Sequence, residues 1–571
     1  MAHNARGCTV VPVNSHSDTG THPHKRDLAL RTPRRSPRSP VVVVTVLALV
    51  LGLAVISSPV PASARTPLSM TAGSAHGLYP SYRPEVRDYA MFACSGKSVK
   101  LRFNRTVRVN GRHGQTHTVK TDLHQALLLR VEEGGRTTTH TLRCLPDTHP
   151  RLSFRPGAEK LDGLVLLVED NPSWVGLVDP NGVPLWYRFL PPGVRLSMAR
   201  MNERAQLDFL LEFESLDDPA NDRNLLASVS TGLVTMDLDN RRIRSIRPTE
   251  NGEFIPVDYH FFASDAQGGV YFLSSWIRTV EDLPGIFRTP TPGRPQDQQR
   301  LVDSCGKAQR WKAVGARVVR ADGKGRVTWR LDFPESLNRD SRYEVRWIGK
   351  EDGVVTCYYE VHHPNSVSID PSGERIYVSL KFTEGQFAVD VATKRIVWSL
   401  GQERPGSLQI SGDPLGRPTG MHSGSMNTKN EFLVFDNRSL DSEVGRAVIY
   451  RITGAGEAVF VRSFLPPRDR CTTTGGKTYC PTRVMGNASF AYNGSVMVNW
   501  GDKDGNPNIA TLFDKQGKVL LDIRDESRGT LVYKTDYVPS MLEGKPLVSL
   551  DRVLRGTNAT NVRLTERDLR T

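Results

Sequence analysis

Residues 374–400, ERIYVSLKFTEGQFAVDVATKRIVWSL, hold three apolar stretches of strand length, parted by a polar loop at Glu384-Gly385 and a turn from Ala392 to Arg395. Ile, Tyr, Val and Trp fill these stretches, residue types favoured in β-strands. The same plan of strand, polar loop, strand, turn and closing strand returns in 163–189, 431–464 and 494–524. It also returns in 268–279 continued by 315–333, with a long insertion between, and in 231–246. Trp186, Trp329 and Trp398 recur at matching places in the final strand of three units. About six such four-stranded units run from Leu161 onward at spacings like those of propeller blades. One such sheet cannot cover both its faces, so ring closure is the economical arrangement. The expected fold is all-β: a six-bladed β-propeller over 158–571.

Before the propeller, SVKLRFNRTVRVNG and QALLLRVEEGGRTTTHTLRCLP alternate polar and apolar residues and break at Asn-Gly and Gly-Gly. This pattern predicts antiparallel hairpins in a small β-sandwich-like domain over 88–157, after a linker at 65–87. His113, His117, His124, His140 and His149 are scattered there with no metal-binding spacing, and read as solvated surface.

Val41 to Ser58 is continuously apolar, follows Arg31, Arg34, Arg35 and Arg38, and precedes Ala62-Ser63-Ala64. This is the pattern of an export signal over 1–64 cut after Ala64, with a retained signal anchor as the alternative. The chain is expected to be secreted or extracytoplasmic, or membrane-anchored and facing outside. Its net charge of +14 contains no run of about five or six basic residues, and no nucleic-acid motif accompanies it, which argues against nucleic acid as a partner. Beyond Cys8 the cysteines are Cys94, Cys144, Cys305, Cys357, Cys471 and Cys480. Export permits disulfides, and pairing of sequence neighbours (Cys94–Cys144, Cys305–Cys357, Cys471–Cys480) staples one structural unit at a time. No C-x2-C pair supports zinc.

In a propeller the innermost strands and the loops entering them converge on a central channel, so residues distant in sequence can face one pocket. Within 158–571 the histidines are His260, His362, His363 and His422. Each stands a few residues before a turn and an apolar strand, at equivalent places in three consecutive units. Unrelated core histidines would not share a register, so the repetition points to a site. Adjacent residues of a strand face opposite sides, so His362 is set apart from His363. Ser366 and Ser379 lack a nucleophile elbow and read as loop or strand residues.

HHPNSVSIDPSGERIYVSLK, AVDVATKRIVWSLG, MHSGSMNTKNEFLVFDN and ASFAYNGSVMVNWG, in this order, resemble the motifs of the bacterial-type arylsulfotransferases. The resemblance covers about His260 to Gly501. It implies a six-bladed propeller that moves a sulfuryl group from an aryl sulfate donor to a phenolic acceptor by a ping-pong mechanism through a sulfohistidine. No cofactor and no metal are implied. By the motifs His422 matches the nucleophile, and His260 and His363 match the supporting histidines. Lys381 stands where the family usually has arginine, Met421-His422-Ser423 where it has Gln-His-Asp, and Gly401-Gln402 where it has paired glycines. Lysine keeps the charge and gives up bidentate recognition of sulfate.

The chemistry is consistent with these residue types. A neutral imidazole, ordinarily of pKa about 6.5, is both a nucleophile and a leaving group at neutral pH. Charge developing on the sulfuryl oxygens and the phenolate needs donors already in place, which Lys381, His260, His363 and Asn365 can supply. One supporting histidine can take the acceptor's proton. The alternatives are a non-catalytic propeller that binds a partner on its ring face, or another propeller enzyme such as a quinone-dependent dehydrogenase or a metal-dependent lyase.

Overall fold

The structure is a computed structural model. It describes residues 67–548 except 74–76, 124–125, 151, 171–172, 191–193, 203, 214–230, 239–242, 282–295, 339–342, 402–403, 439–443, 455, 468–471, 475–476, 480–484, 502–507 and 526–533. All of these fall within one unit, Pro67–Thr571. The leader, His124, Gln402 and the Cys471–Cys480 pair expected from sequence lie outside the described residues. Among the described residues the chain is nearly all β, its one α-helix being Gln296–Gly306, and no helix is long and apolar enough to cross a membrane.

The first sheet is built on two hairpins. Lys97–Val109 turns into Arg112–Thr121 at Asn110 and Gly111, with φ of 48° and 83°, and Ala126–Glu133 turns into Arg136–Leu145 at Gly134 and Gly135, with φ of 55° and 78°. Two left-handed residues in succession match the twist of the flanking strands, which is why Asn-Gly and Gly-Gly stand there. One pair departs from the antiparallel expectation, since Asp88–Phe92 runs parallel to Arg136–Leu145. The Cys94–Cys144 disulfide closes that edge. Met70–Ala72, from the stretch read as linker, also pairs with this sheet. His117, His140 and His149 are buried, at 8%, 1% and 6% exposure, which corrects the solvated reading. Each hydrogen-bonds a backbone carbonyl, of Gly114, Val86 and Pro150 respectively, so backbone carbonyls rather than solvent partner them.

Apart from three two-stranded ribbons, the remaining described strands form sheets of four or more, each joined to the next by an apolar cluster. Leu164, Leu166 and Leu177 pack on Leu196, Phe209 and Val234. Met198, Leu210 and Leu233 pack on Phe262 and Val318, and these on Val367 and Val378. Tyr377 and Trp398 meet Phe432 and Tyr450, and Leu433 and Phe435 meet Val498 and Trp500. Met497 and Leu521 return to Val165 and Leu167. Val165 and Leu167 point one way and Leu164 and Leu166 the other, the alternation that lets one strand serve two interfaces. Trp186 and Trp329 each donate an indole N–H to a carbonyl of the neighbouring sheet, Leu238 and Val391, at 2.8 Å.

Two sheets are completed from far along the chain. Thr535–Pro539 pairs with Gly163–Asp170, and Leu152–Pro156 pairs with Val519–Asp525. The insertion after residue 279 contributes the helix Gln296–Gly306, and a hairpin that follows the closing strand Val327–Asp332, Glu344–Glu351 with Val354–Glu360, joins the same sheet through a parallel pairing with Arg310–Ala321. Cys305–Cys357 ties helix to hairpin.

Candidate active site

His260, His363 and His422 enter three consecutive sheets at one place, the start of an edge strand. Their strands are Phe262–Ser264, Pro364–Ile369 and His422–Met426. Lys381 is tied to His363 through the backbone, its N–H donating to the His363 carbonyl at 3.0 Å, where Arg375–Leu380 gives way to a single 3-10 turn. His363 has φ of 49° and Ser423 of 30°. Left-handed backbone at non-glycine residues costs roughly 1–3 kcal/mol each and collects at functional sites.

His422 is 3% exposed. Its Nδ1 lies 2.7 Å from Asn437 Oδ1 and 3.2 Å from the Gly420 carbonyl. Asn437 Nδ2 donates to the Met485 carbonyl, so its oxygen is the atom turned toward the ring. Both neighbours of Nδ1 are acceptors, so Nδ1 carries the proton and Nε2 carries the lone pair. Burial, then the Lys381 ammonium, then His260 and His363, hold the His422 pKa down to about 3 against the Asn437 bond that raises it. The ring is therefore neutral across the physiological range.

The supporting pair is in contact, with His260 and His363 ring centroids 5.5 Å apart, edge to face. His260 Nδ1 donates to Asp258 Oδ1 at 2.6 Å. His363 Nδ1 lies 2.9 Å from Glu360 Oε2 and 3.0 Å from Arg346 Nη2, and Arg346 also pairs with Glu360. Burial opposes the Glu360 charge, but His363 and Arg346 outweigh it and draw its pKa down to about 2. Tyr259 stacks on His260 at 4.1 Å and the Phe382 ring lies 5.0 Å from His363, giving the histidines aromatic neighbours on both sides. Burial also lowers the Lys381 pKa, countered by Glu344, Glu360 and Glu384.

Asn365 is fully buried and its Nδ2 donates to the Met421 carbonyl, which also accepts from Ser379 Oγ at 2.6 Å. Both side chains therefore fix the residue before His422. Glu384 accepts from the Gly420 N–H, and Asp436 accepts from the Thr419 N–H at 2.9 Å. Gly401, at φ 114°, lets this corner close, since a Cβ there would stand 2.3 Å from the Glu384 carbonyl oxygen. His362 faces the other way: it accepts from Ala316 N–H and its Nε2 lies 3.2 Å from the Pro334 carbonyl, a packing role.

The structure thus brings His260, His363, Lys381 and His422 into one electrostatic cluster and turns Asn365 toward backbone. The sequence reading missed Asp258, Glu360, Arg346, Asn437 and Glu384. The signal for some was local, since Asp258 precedes His260 by two residues and Glu360 precedes His363 by three. Arg346 comes from the hairpin Glu344–Glu351 with Val354–Glu360 and had no such signal. Glu344, Glu360 and His363 set one ligand atom each within 4.8 Å of one another. The Arg346 guanidinium pairs with this group, and its fixed positive charge opposes a metal ion there.

Residues 301–452 match the arylsulfotransferase (ASST) family model. The matched stretch contains His363, Lys381 and His422, while His260 precedes it. No curated protein matches the chain. Among solved structures, a Bacteroides caccae protein of unknown function is similar at 10% identity and TM-score 0.37, over 66% of this chain and 99% of that one. The Pseudomonas aeruginosa periplasmic gluconolactonase PpgL is similar at 11% identity and TM-score 0.30, over 66% and 99%. The β-propeller domain of Myceliophteria thermophila Cps50 is similar at 12% identity and TM-score 0.28, over 58% and 86%.

Proposed function

We propose that this chain is an arylsulfotransferase that passes a sulfuryl group from an aryl sulfate to a phenol through His422, on a six-bladed β-propeller. The observation that carries the reading is the His422 ring, with Nδ1 committed to Asn437 and Gly420 and its protonation opposed by Lys381, His260 and His363. The family match at 301–452 supports the reaction class. Ring closure is supported by the apolar clusters that join each sheet to the next and by the pairing of Thr535–Pro539 with Gly163–Asp170.

In the first step Nε2 of His422 attacks sulfur, the S–N bond forms, the S–O bond to the aryl group breaks and the electron pair leaves on the phenolate. The ammonium that disfavours a proton on Nε2 favours a sulfuryl group there, because the group brings three negatively polarised oxygens. Lys381, with His260 and His363, supplies donors to these oxygens and to the leaving phenolate, a contribution of ~3–4 kcal/mol per donor. In the second step an acceptor phenol attacks the same sulfur, its proton passes to His260 or His363, and His422 is regenerated as the neutral ring. Asp258 and Glu360 stabilise the imidazolium that forms.

Residues 1–64 serve in this reading as an export leader, so that the enzyme acts outside the cytoplasm; 88–157 is the small β-domain and 158–571 the catalytic propeller. The test is sulfate exchange between a chromogenic aryl sulfate and a phenol, with wild type and His422→Ala compared. Loss of exchange in the variant, with its fold intact by circular dichroism, is expected. Undiminished exchange would remove His422 from the mechanism.

A further inference from the structure

Beside the histidines lies a separate cavity of about 370 Å3, whose wall includes Ser366, three residues past His363, and Ser423, the neighbour of His422. None of His260, His363, Lys381 and His422 lines it. Its wall is mostly apolar but carries a buried ammonium. Lys534 is 6% exposed, and its ammonium lies 3.4 Å from Asp536 Oδ2 and 5.2 Å from the Phe261 ring centroid, both on the same wall. An ammonium has three N–H donors, and one carboxylate at that distance does not use them. Burial, with Arg200 nearby, draws the Lys534 pKa down to about 8 although Asp536 opposes this.

Three further polar groups of the wall have donor capacity to spare. Asn487 Nδ2 and Ser366 Oγ are buried, at 1% and 2% exposure of their residues, and have no hydrogen-bond partner. Ser423 Oγ accepts the Ala488 N–H, which leaves its own proton to give. Asp536 already accepts from Ser489 Oγ. A buried polar group without a partner is destabilising, and such groups are ordinarily met by water or an ion. The charged side chains of the wall are Arg200, Lys534 and Asp536, which leaves one positive charge in excess. Asp208, which acts on Arg200 from outside the wall, is held by Ser264 and Thr235.

We propose that this cavity is a binding site for one small monovalent anion of the halide class, held by the Lys534 ammonium, the Asn487 amide and the hydroxyls of Ser366 and Ser423. The wall offers these donors against one carboxylate that Ser489 already engages, so an anion is favoured over a cation, and a single negative charge matches the excess on this wall where a dianion would exceed it. The site is independent of the sulfuryl-transfer reading.

Bromide is the probe. Crystals of the full chain soaked in sodium bromide are expected to show an anomalous peak within hydrogen-bonding distance of Lys534 Nζ. The thermal unfolding midpoint is expected to rise saturably, by about 2 °C, in sodium bromide over sodium gluconate at equal ionic strength. Lys534→Met is expected to abolish that difference. Absence of bromide from the cavity in wild-type crystals, or coincident midpoints in the two salts, overturns the proposal. Should Lys534→Met fail to fold, these two wild-type measurements decide.

Discussion

His422 Nδ1 lies 2.7 Å from Asn437 Oδ1, and the Asn437 amide is held in that orientation by its own bond to the Met485 carbonyl. This relationship fixes the tautomer on which the proposed chemistry depends. Asn437→Ala is expected to lower kcat about 100-fold with KM little changed, as ring misplacement does. Asn437→Asp adds a charge that favours imidazolium, so the acid limb of the pH profile is expected to move upward from the low position set by a His422 pKa of about 3. An acid limb identical in wild type and Asn437→Asp would show that His422 does not titrate in the rate profile.

Lys381 is the donor most exposed to test. Lys381→Met is expected to reduce kcat about 100–1000-fold, the usual effect of losing one transition-state donor. Lys381→Arg keeps the charge and is expected to retain most of the activity. Equal losses in the two variants would show that packing at the 3-10 turn, not charge, is what the position requires.

Buried neutral histidines set the acid stability. Burial holds the His149 and His362 pKa at about 4, and His422 at about 3. All three lie below the unfolded value of about 6.5. The unfolded chain therefore binds more protons between about pH 3 and 6.5, and stability falls as pH drops through that window. His149 packs among Trp174, Tyr187 and Phe92, at 4.9, 5.3 and 6.4 Å, and its Nε2 has no partner. His149→Phe is expected to change stability at pH 7.5 by about 1 kcal/mol or less and to flatten the loss between pH 6.5 and 4. Urea unfolding at pH 7.5 and pH 5 measures both; an unaltered slope would mean His149 is protonated in the fold.

Arg446 is fully buried between Asp413, which it grips at 2.8 and 2.9 Å, and Asp436 at 2.9 Å. Removing the cation strands two buried carboxylates, so Arg446→Met is expected to destabilise by about 3–5 kcal/mol in denaturant unfolding. A loss below about 1 kcal/mol would show that the carboxylates take up protons without strain. Asp436 also holds the Thr419 N–H, so activity is expected to fall with stability.

Much of the local architecture was legible because it is written in neighbouring residues. Asn110-Gly111 and Gly134-Gly135 marked their hairpins, and Cys94–Cys144 and Cys305–Cys357 paired as neighbours do. The shared register of His260, His363 and His422 came from the repeat. What was hidden depended on distant chain. Nothing near residues 152–156 says that they pair with 519–525. Nothing near residues 344–360 says that this hairpin delivers Arg346 to His363. The burial of His140 and His149 came from aromatic packing against Tyr89 and Trp174, to which spacing rules are blind. Asn365 was offered as a donor to the sulfuryl oxygens and the phenolate, while its Nδ2 donates to the Met421 carbonyl, a contact no spacing announces.

The central claim is a covalent intermediate on one ring nitrogen. Intact-mass analysis of the protein mixed with a chromogenic aryl sulfate, without acceptor, tests it most directly. A gain of one sulfuryl group, mapped to the peptide containing His422 and lost when a phenol is added, is the expected result. An unmodified mass under conditions where exchange proceeds, or a sulfuryl group on another residue, would contradict it.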